Sequence, residues 1–263
     1  MASRIDAMIL DLDGVITHTA KLHAIAWKQL FDFYNENLRV RGHPGYAEFI
    51  IDPDYHLYVD GKPRQDGVRD FLKSRGITLP LGEHEDPPDR ETLHGLANLK
   101  NTFFTRALKE QGPEIFPDAV EAIQQWREQG LKIAVASSSK NCKEILQLAK
   151  LEHLFDARID GTHLQLWNMP GKPAPDMFLA ATRELGIEPA RAAVLEDALS
   201  GVQAAVAGQF GLVVGVARFG LSKEPLRRAG ADIVITRLTE ISFVNAPGLM
   251  IRLSEEKLSK IRK

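Results

Sequence analysis

Arg4-Ile5-Asp6-Ala7-Met8-Ile9-Leu10-Asp11-Leu12-Asp13-Gly14-Val15-Ile16-Thr17 is the stretch that decides how this chain reads. An apolar run ends abruptly in two aspartates around a leucine and then a glycine. That is the pattern of a buried strand whose C-terminal tip carries acids. Carboxylates two positions apart at such a tip point in different directions. One, Asp11, can attack phosphorus, while Asp13 serves the leaving or entering oxygen as acid or base. Asp-Leu-Asp-Gly is also good turn chemistry, and the motif alone does not separate the two readings.

Working outward, four later runs share the strand pattern: 131–136, 192–195, 212–216 and 232–235, each short, rich in β-branched residues or alanine, and bounded by glycine or polar turns. Between them lie helical patterns at 118–129, 141–151, 175–185 and 199–207, with Gly130, Gly186 and Gly208 standing where helices commonly stop. Alternating strands and helices imply an α/β fold, a Rossmann-like parallel sheet with helices on both faces. Reactive groups in such sheets gather at the carboxyl ends of the strands, where Asp11, Ser137 and Glu196-Asp197 fall. From Thr19 to Gln111 the alternation breaks into aromatic and helix-forming residues with a Pro/Gly/acid-rich loop at 79–90. The expected organisation is a catalytic core of residues 1–18 plus 112–263 and an inserted helical cap domain of residues 19–111. The charged tail, Ser254–Lys263, is expected to be a solvated helix or a frayed end.

Composition narrows the function. At 263 residues, 44% hydrophobic and 26% charged, the chain can bury one large core and a smaller one. No stretch approaches the roughly 20 consecutive apolar residues that span a bilayer, and the opening residues lack a signal-peptide core. A cytoplasmic protein without a membrane partner is expected. The single cysteine, Cys142, permits no internal disulfide and no cysteine-built zinc site. A net charge of −2 gives no basic excess that would suggest nucleic acid. A monomer is expected.

Three further elements carry chemistry. Ser137-Ser138-Ser139 follows a strand and precedes a helix, where a hydroxyl and exposed N–H groups suit a phosphate oxygen, although serines there also cap helices. Lys172, between Gly171 and Pro173, could be held over a phosphate as a compact charge, or be an ordinary surface lysine. Glu196-Asp197 ends an otherwise apolar strand, and burying both acids is costly unless a cation compensates; hard oxygen ligands favour Mg²⁺.

Taken together, in this order on successive β-α units, these elements resemble the haloacid dehalogenase superfamily of phosphotransferases. The resemblance implies an aspartyl-phosphate on Asp11, Asp13 as general acid/base, Ser137 and Lys172 as phosphate ligands, and a Mg²⁺ environment of Asp11, the Asp13 carbonyl, Glu196 and Asp197. The segments 11–17 with Thr19, Ala20, His23, Ala26, Trp27 and Lys28, then Ala136-Ser137-Ser138-Ser139-Lys140-Asn141 and 172–176, look more closely like β-phosphoglucomutases. That likeness adds His23 as a catalytic helper. It also adds Thr19, Trp27, Gly61, Arg64, Lys100, Ser138, Ser139, Lys140 and Asn141 on the substrate side. It implies interconversion of β-glucose 1-phosphate and glucose 6-phosphate through a bisphosphate. A sugar-phosphate phosphatase using the same Asp11 is the alternative.

Overall fold

The computed structural model describes residues 5–218, 223–246 and 248–253. The expectation for Ser254–Lys263 lies outside them. The chain divides into two compact units, one of Met1–His18 with Glu114–Lys263 and one of Thr19–Pro113. Numbered along the chain, the helices of the second unit are α1 (Ala20–Val40), α2 (Ile51–Asp54), α3 (Arg64–Ser74) and α4 (Leu93–Gln111). Those of the first are α5 (Pro117–Glu128), α6 (Cys142–Leu148), α7 (Gly161–Leu166), α8 (Asp176–Leu185), α9 (Leu199–Ala207) and α10 (Glu224–Arg228).

The first unit is built on a parallel sheet of β1 (Ala7–Leu10), β2 (Lys132–Ala136), β3 (Ala157–Ile159), β4 (Ala192–Glu196), β5 (Leu212–Val216) and β6 (Ile233–Ile235). Their spatial order is β3-β2-β1-β4-β5-β6. All four residues of β1 are fully buried, as a strand covered on both faces requires. On one face Ala7, Ile9, Ala134, Ala136 and Val194 form a single cluster with Met177, Phe178 and Ala181 of α8 and Val202 and Ala205 of α9. The small strand residues leave room for the Phe178 ring. α5 packs against β2 and buries Ala119, Ala122, Ile123 and Trp126.

Register fixes the site. Leu10 pairs with Val135 on one side and Leu195 on the other. The ladder runs on through the Asp11 N–H, which donates to the Leu195 carbonyl at 3.0 Å. Asp11 therefore emerges level with the ends of β2 and β4.

Three features depart from the sequence expectation. β3 is three residues long and two of its positions are only half-buried, too short and too polar to register as an apolar run. The hairpin of β7 (Ile241–Ala246) and β8 (Gly248–Leu253) forms a separate antiparallel sheet where no strand was expected. At Gly130 and Gly186 φ is positive, as helix-stopping glycines favour, but Gly208 keeps φ −78° and Gln209 takes the left-handed conformation instead. Gly208 is required for space: a Cβ there would lie 2.5 Å from the Phe210 ring.

In the second unit the apolar side chains of α1, α3 and α4 pack around Trp27, Phe31, Phe49 and Phe71. The Phe31 and Phe71 rings lie 4.0 Å apart, and the Arg75 guanidinium covers Phe71 at 4.5 Å while it pairs with Asp54 at 2.8 Å. The loop at 79–90 is ordered by Asp86. Its carboxylate accepts from the Thr92 hydroxyl at 2.6 Å, Arg90 at 2.6 Å and the Glu83 N–H at 3.1 Å. Thr92 in turn caps α4 by accepting from the Gly95 N–H at 3.0 Å.

Candidate active site

The ends of β1, β2 and β4, with the segment between α7 and α8, place the side chains of the α/β unit. After Asp11 the chain winds tightly. The Ile16 and Thr17 N–H groups both return to the Leu12 carbonyl, and the Gly14 N–H donates to the Thr17 carbonyl at 2.7 Å. Gly14 has φ +85°, and its missing Cβ leaves the space that the Asp197 carboxylate occupies: a built Cβ would lie 1.6 Å from Asp197 Oδ2. The turn after β1 and the acid after β4 are thus in direct contact.

Lys172 is not a surface lysine. It is 3% exposed, its Nζ donates to Asp11 Oδ1 at 2.5 Å and to Glu196 Oε1, and it lies 5.0 Å from the Phe178 ring centroid. Burial alone would lower its pKa, but Asp11 and Glu196 outweigh burial and hold the ammonium above its usual value. The Asp11 carboxyl is pushed up by burial first, then by Glu196 and Asp13, against the pull of Lys172. Several acids sharing one ammonium remain short of positive charge, which is the electrostatic condition for a cation site.

The donor chemistry is all hard oxygen, as Mg²⁺ favours. Among the described residues no three acid, histidine or cysteine side chains form a ready-made metal-binding group. Glu196 spends Oε1 on Lys172 and Oε2 on the Ala198 N–H at 2.8 Å. The carboxylates gathered at these strand ends, Asp11, Asp13, Glu196 and Asp197, supply hard oxygen of the kind such a cation takes, with Glu196 already engaged by Lys172 and the Ala198 N–H. Gly201 keeps room for Glu196, since a Cβ there would fall 1.8 Å from its Oε1.

At the end of β2, Ser137 is 1% exposed; its hydroxyl donates to Asp13 Oδ2 at 3.4 Å and accepts from the Ser139 N–H at 3.1 Å. The Ser139 hydroxyl accepts from the Asn141 N–H at 3.2 Å, the local capping that serines before a helix provide. The turn rests on Gly161, where a Cβ would meet the Ser138 carbonyl at 2.5 Å, and the Lys140 ammonium is engaged by Gln165. Asp11, Asp13, Ser137, Lys172, Glu196 and Asp197 are thereby linked in one neighbourhood. Ser138, Ser139, Lys140 and Asn141 form the loop beside it.

In the helical unit, Lys100 is 1% exposed, its Nζ meets His23 Nδ1, and it sits 5.1 Å from the Trp27 ring and 4.9 Å from Phe104. An ammonium can only donate, so His23 Nδ1 is the acceptor and the ring proton is on Nε2. His23 stacks on Phe104 at 3.9 Å. Trp27 is also a core side chain, close enough to Gly67 that a Cβ there would be 3.1 Å from its ring. Thr19 is fully buried at the start of α1 and its carbonyl accepts from the His23 N–H at 2.9 Å. Gly61, φ +70°, makes the turn into α3. Arg64 opens α3 with one hydrogen bond, Nη1 to the Ala97 carbonyl at 3.4 Å. Among the described residues no carboxylate pairs with it, and burial pushes its guanidinium down to about 10.

Sequence reasoning missed Arg218 and Asp118. Both are buried, and the Arg218 guanidinium reaches Asp118, the Gly14 carbonyl and the Val15 carbonyl. The available signal was a charged residue just beyond a buried strand, Val216-Ala217-Arg218, at the same end of the sheet as Asp11.

Comparison with known proteins converges on one family. Residues 5–209 match the family of haloacid dehalogenase-like hydrolases. A protein of Mycobacterium bovis named beta-phosphoglucomutase is 44% identical over 92% of this chain and 93% of its own. A phosphorylated carbohydrates phosphatase of Thermotoga maritima is 27% identical over 88% and 94%. Among solved structures, a beta-phosphoglucomutase from Clostridium difficile superposes with a TM-score of 0.70 at 25% identity, covering 91% of this chain and 94% of that one. Phosphomutases and phosphatases of this group are generally Mg²⁺-dependent. Strand-tip acids, a buried lysine between them and close relatives across nearly the whole chain all agree: the chain belongs to the haloacid dehalogenase-like hydrolase family, in its β-phosphoglucomutase-like branch.

Proposed function

We propose that the chain is a β-phosphoglucomutase, moving a phosphoryl group between the 1- and 6-oxygens of β-glucose by way of Asp11. The observation that carries the reading is Arg64, a half-buried guanidinium with no carboxylate partner among the described residues, in the helical unit and apart in sequence from the Asp11 group. A mutase must hold a phosphate at each end of a bisphosphate, and a guanidinium fork suits the distal one.

In this proposal Asp11 takes the phosphate that is transferred, and Arg64 with Lys100 is the helical unit's candidate grip for a second phosphate. Asp11 Oδ attacks phosphorus as the bond to the sugar oxygen breaks, and Asp13 delivers a proton to that oxygen. In the reverse transfer, Asp13 takes the proton from the other sugar hydroxyl as that oxygen attacks phospho-Asp11. Ser137 and the 138–141 loop hold phosphate oxygens, and Lys172 opposes their charge. Mg²⁺ held by Asp11, the Asp13 carbonyl and Asp197 would neutralise charge on the transferred group. His23, kept in one tautomer by Lys100, orients the substrate hydroxyl. The split into two compact units supports reading the first as the catalytic core and the second as a helical cap that selects the distal phosphate.

The 27% identity to the Thermotoga maritima phosphatase keeps hydrolysis as the second reading. Incubation with β-glucose 1-phosphate and a trace of glucose 1,6-bisphosphate decides between them. Glucose 6-phosphate is expected; stoichiometric inorganic phosphate without it would establish the phosphatase.

A further inference from the structure

Arg218 is a buried cation that the proposed chemistry does not use. Nη1 donates to Asp118 Oδ1 at 2.8 Å, Nη2 to the Val15 carbonyl at 2.7 Å and Nε to the Gly14 carbonyl at 3.2 Å. The Phe116 ring covers the guanidinium face at 3.8 Å, and the other Asp118 oxygen accepts from the Leu238 N–H at 2.7 Å. All three guanidinium nitrogens are committed within the protein, so a substrate phosphate would have to displace existing bonds. The Asp118 partner leaves the pair neutral.

Its place is the turn that follows Asp11. Within 12–17 the N–H groups of Gly14, Ile16 and Thr17 and the Thr17 hydroxyl are satisfied inside the turn. The Gly14 and Val15 carbonyls point outward and are met by Arg218. Two carbonyls held by one planar fork fix the peptide planes of the residues directly after Asp13.

We propose that Arg218, neutralised by Asp118, is a positioning residue that holds the Asp13–Val15 turn so that the Asp13 carboxyl stays aligned for proton transfer. The inference rests on the role proposed for Asp13. Asp11 hangs on the β1 ladder through its N–H to Leu195 and on Lys172, and neither support involves Arg218.

The test separates the step that needs Asp13 from one that does not. Acetyl phosphate phosphorylates Asp11 as its P–O bond breaks and acetate leaves as the carboxylate, with no proton required. Transfer from phospho-Asp11 to a sugar hydroxyl forms the new O–P bond, breaks the Asp11–P bond and sends the hydroxyl proton to Asp13. Removing Arg218 alone would strand the Asp118 charge, so the probe is the double variant R218M/D118N, with R218K and D118N beside it. At saturating Mg²⁺, phospho-enzyme formation from acetyl phosphate is expected to stay within about twofold of wild type in R218M/D118N. Turnover of β-glucose 1-phosphate is expected to fall about tenfold or more with KM little changed, a part of the full worth of acid–base catalysis. R218K, a single point donor, should recover only part of the loss, and D118N, which keeps the fork but leaves its charge unpaired, should lower the unfolding temperature more than the turnover. Equal losses in both steps, or no loss in either, would overturn the positioning role. If wild type forms the phospho-enzyme but releases only inorganic phosphate, the mutase reading fails, while hydrolysis of the sugar phosphate still reports Arg218 through its leaving-group step.

Discussion

Lys172 shows how much one side chain can settle. Its own sequence context, Gly171-Lys172-Pro173, is compatible with an exposed lysine, yet it is 3% exposed and bridges Asp11 and Glu196. A buried ammonium holding two acids cannot be removed without leaving both uncompensated. Arg64 is the contrasting case, a half-buried cation without a carboxylate partner among the described residues. Arg64→Ala is expected to leave phosphorylation of Asp11 by acetyl phosphate unchanged while weakening use of glucose 1,6-bisphosphate about 10- to 100-fold, the worth of charge-assisted hydrogen bonds of roughly 1.5–3 kcal/mol. Parallel titration of both phosphodonors checks it, and equal losses would contradict a separate distal grip.

At the scale of elements, the start of α4 couples a cap to an acid. Thr92 accepts from the Gly95 N–H and donates to Asp86, and that second bond is the largest cause holding the Asp86 carboxyl below its ordinary 3.8. A depressed carboxyl contributes stability that is complete above 3.8 and is lost as pH falls through the lower folded value. Thr92→Ala should therefore cost about 1 kcal/mol for the lost cap at any pH, and more than that at neutral pH, where the bond to ionised Asp86 is lost as well. The penalty should shrink in strong acid, where Asp86 is protonated with or without Thr92. Urea titrations at neutral pH and in acid read the difference; a pH-independent penalty would detach Thr92 from Asp86. This loop also marks where sequence reading stops. Residues 79–90 are rich in Pro, Gly and acids, which signals a turn but not which acid will be 3% exposed at its centre. The central strands were legible because burial on both faces forces continuous apolar runs, as in Met8-Ile9-Leu10. β3 was not, because Ala157-Arg158-Ile159 takes its place from pairing with β2 and not from its own hydrophobicity. The strand-tip acids were legible for the same reason as the strands, polar groups being conspicuous after an apolar run. Arg218 stayed hidden because its meaning depends on carbonyls roughly 200 positions away in the chain.

For the molecule as a whole, the charge balance at the strand ends has a thermodynamic consequence. Asp11 and Glu196 share one buried ammonium, with Asp13 acting on Asp11 and Asp197 against the Gly14 turn, so the folded state without a cation carries repulsion that the unfolded chain relieves by separating these residues. A ligand that binds only the folded state stabilises it by mass action, about 2.7 kcal/mol at a hundredfold excess over Kd. Mg²⁺ should therefore raise the unfolding temperature of wild type relative to a chelator-treated sample. Asp197→Asn should act with opposite signs in the two conditions. Without Mg²⁺ it removes one repelling charge and should unfold no earlier than wild type; with Mg²⁺ it lacks a ligand and should show little further rise. Calorimetry of both proteins with and without Mg²⁺ measures the four temperatures. An equal Mg²⁺ shift in both would remove Asp197 from the cation site. No shift in wild type would mean that Lys172 already balances the acids and that the shortage of positive charge inferred from Asp11 is not there.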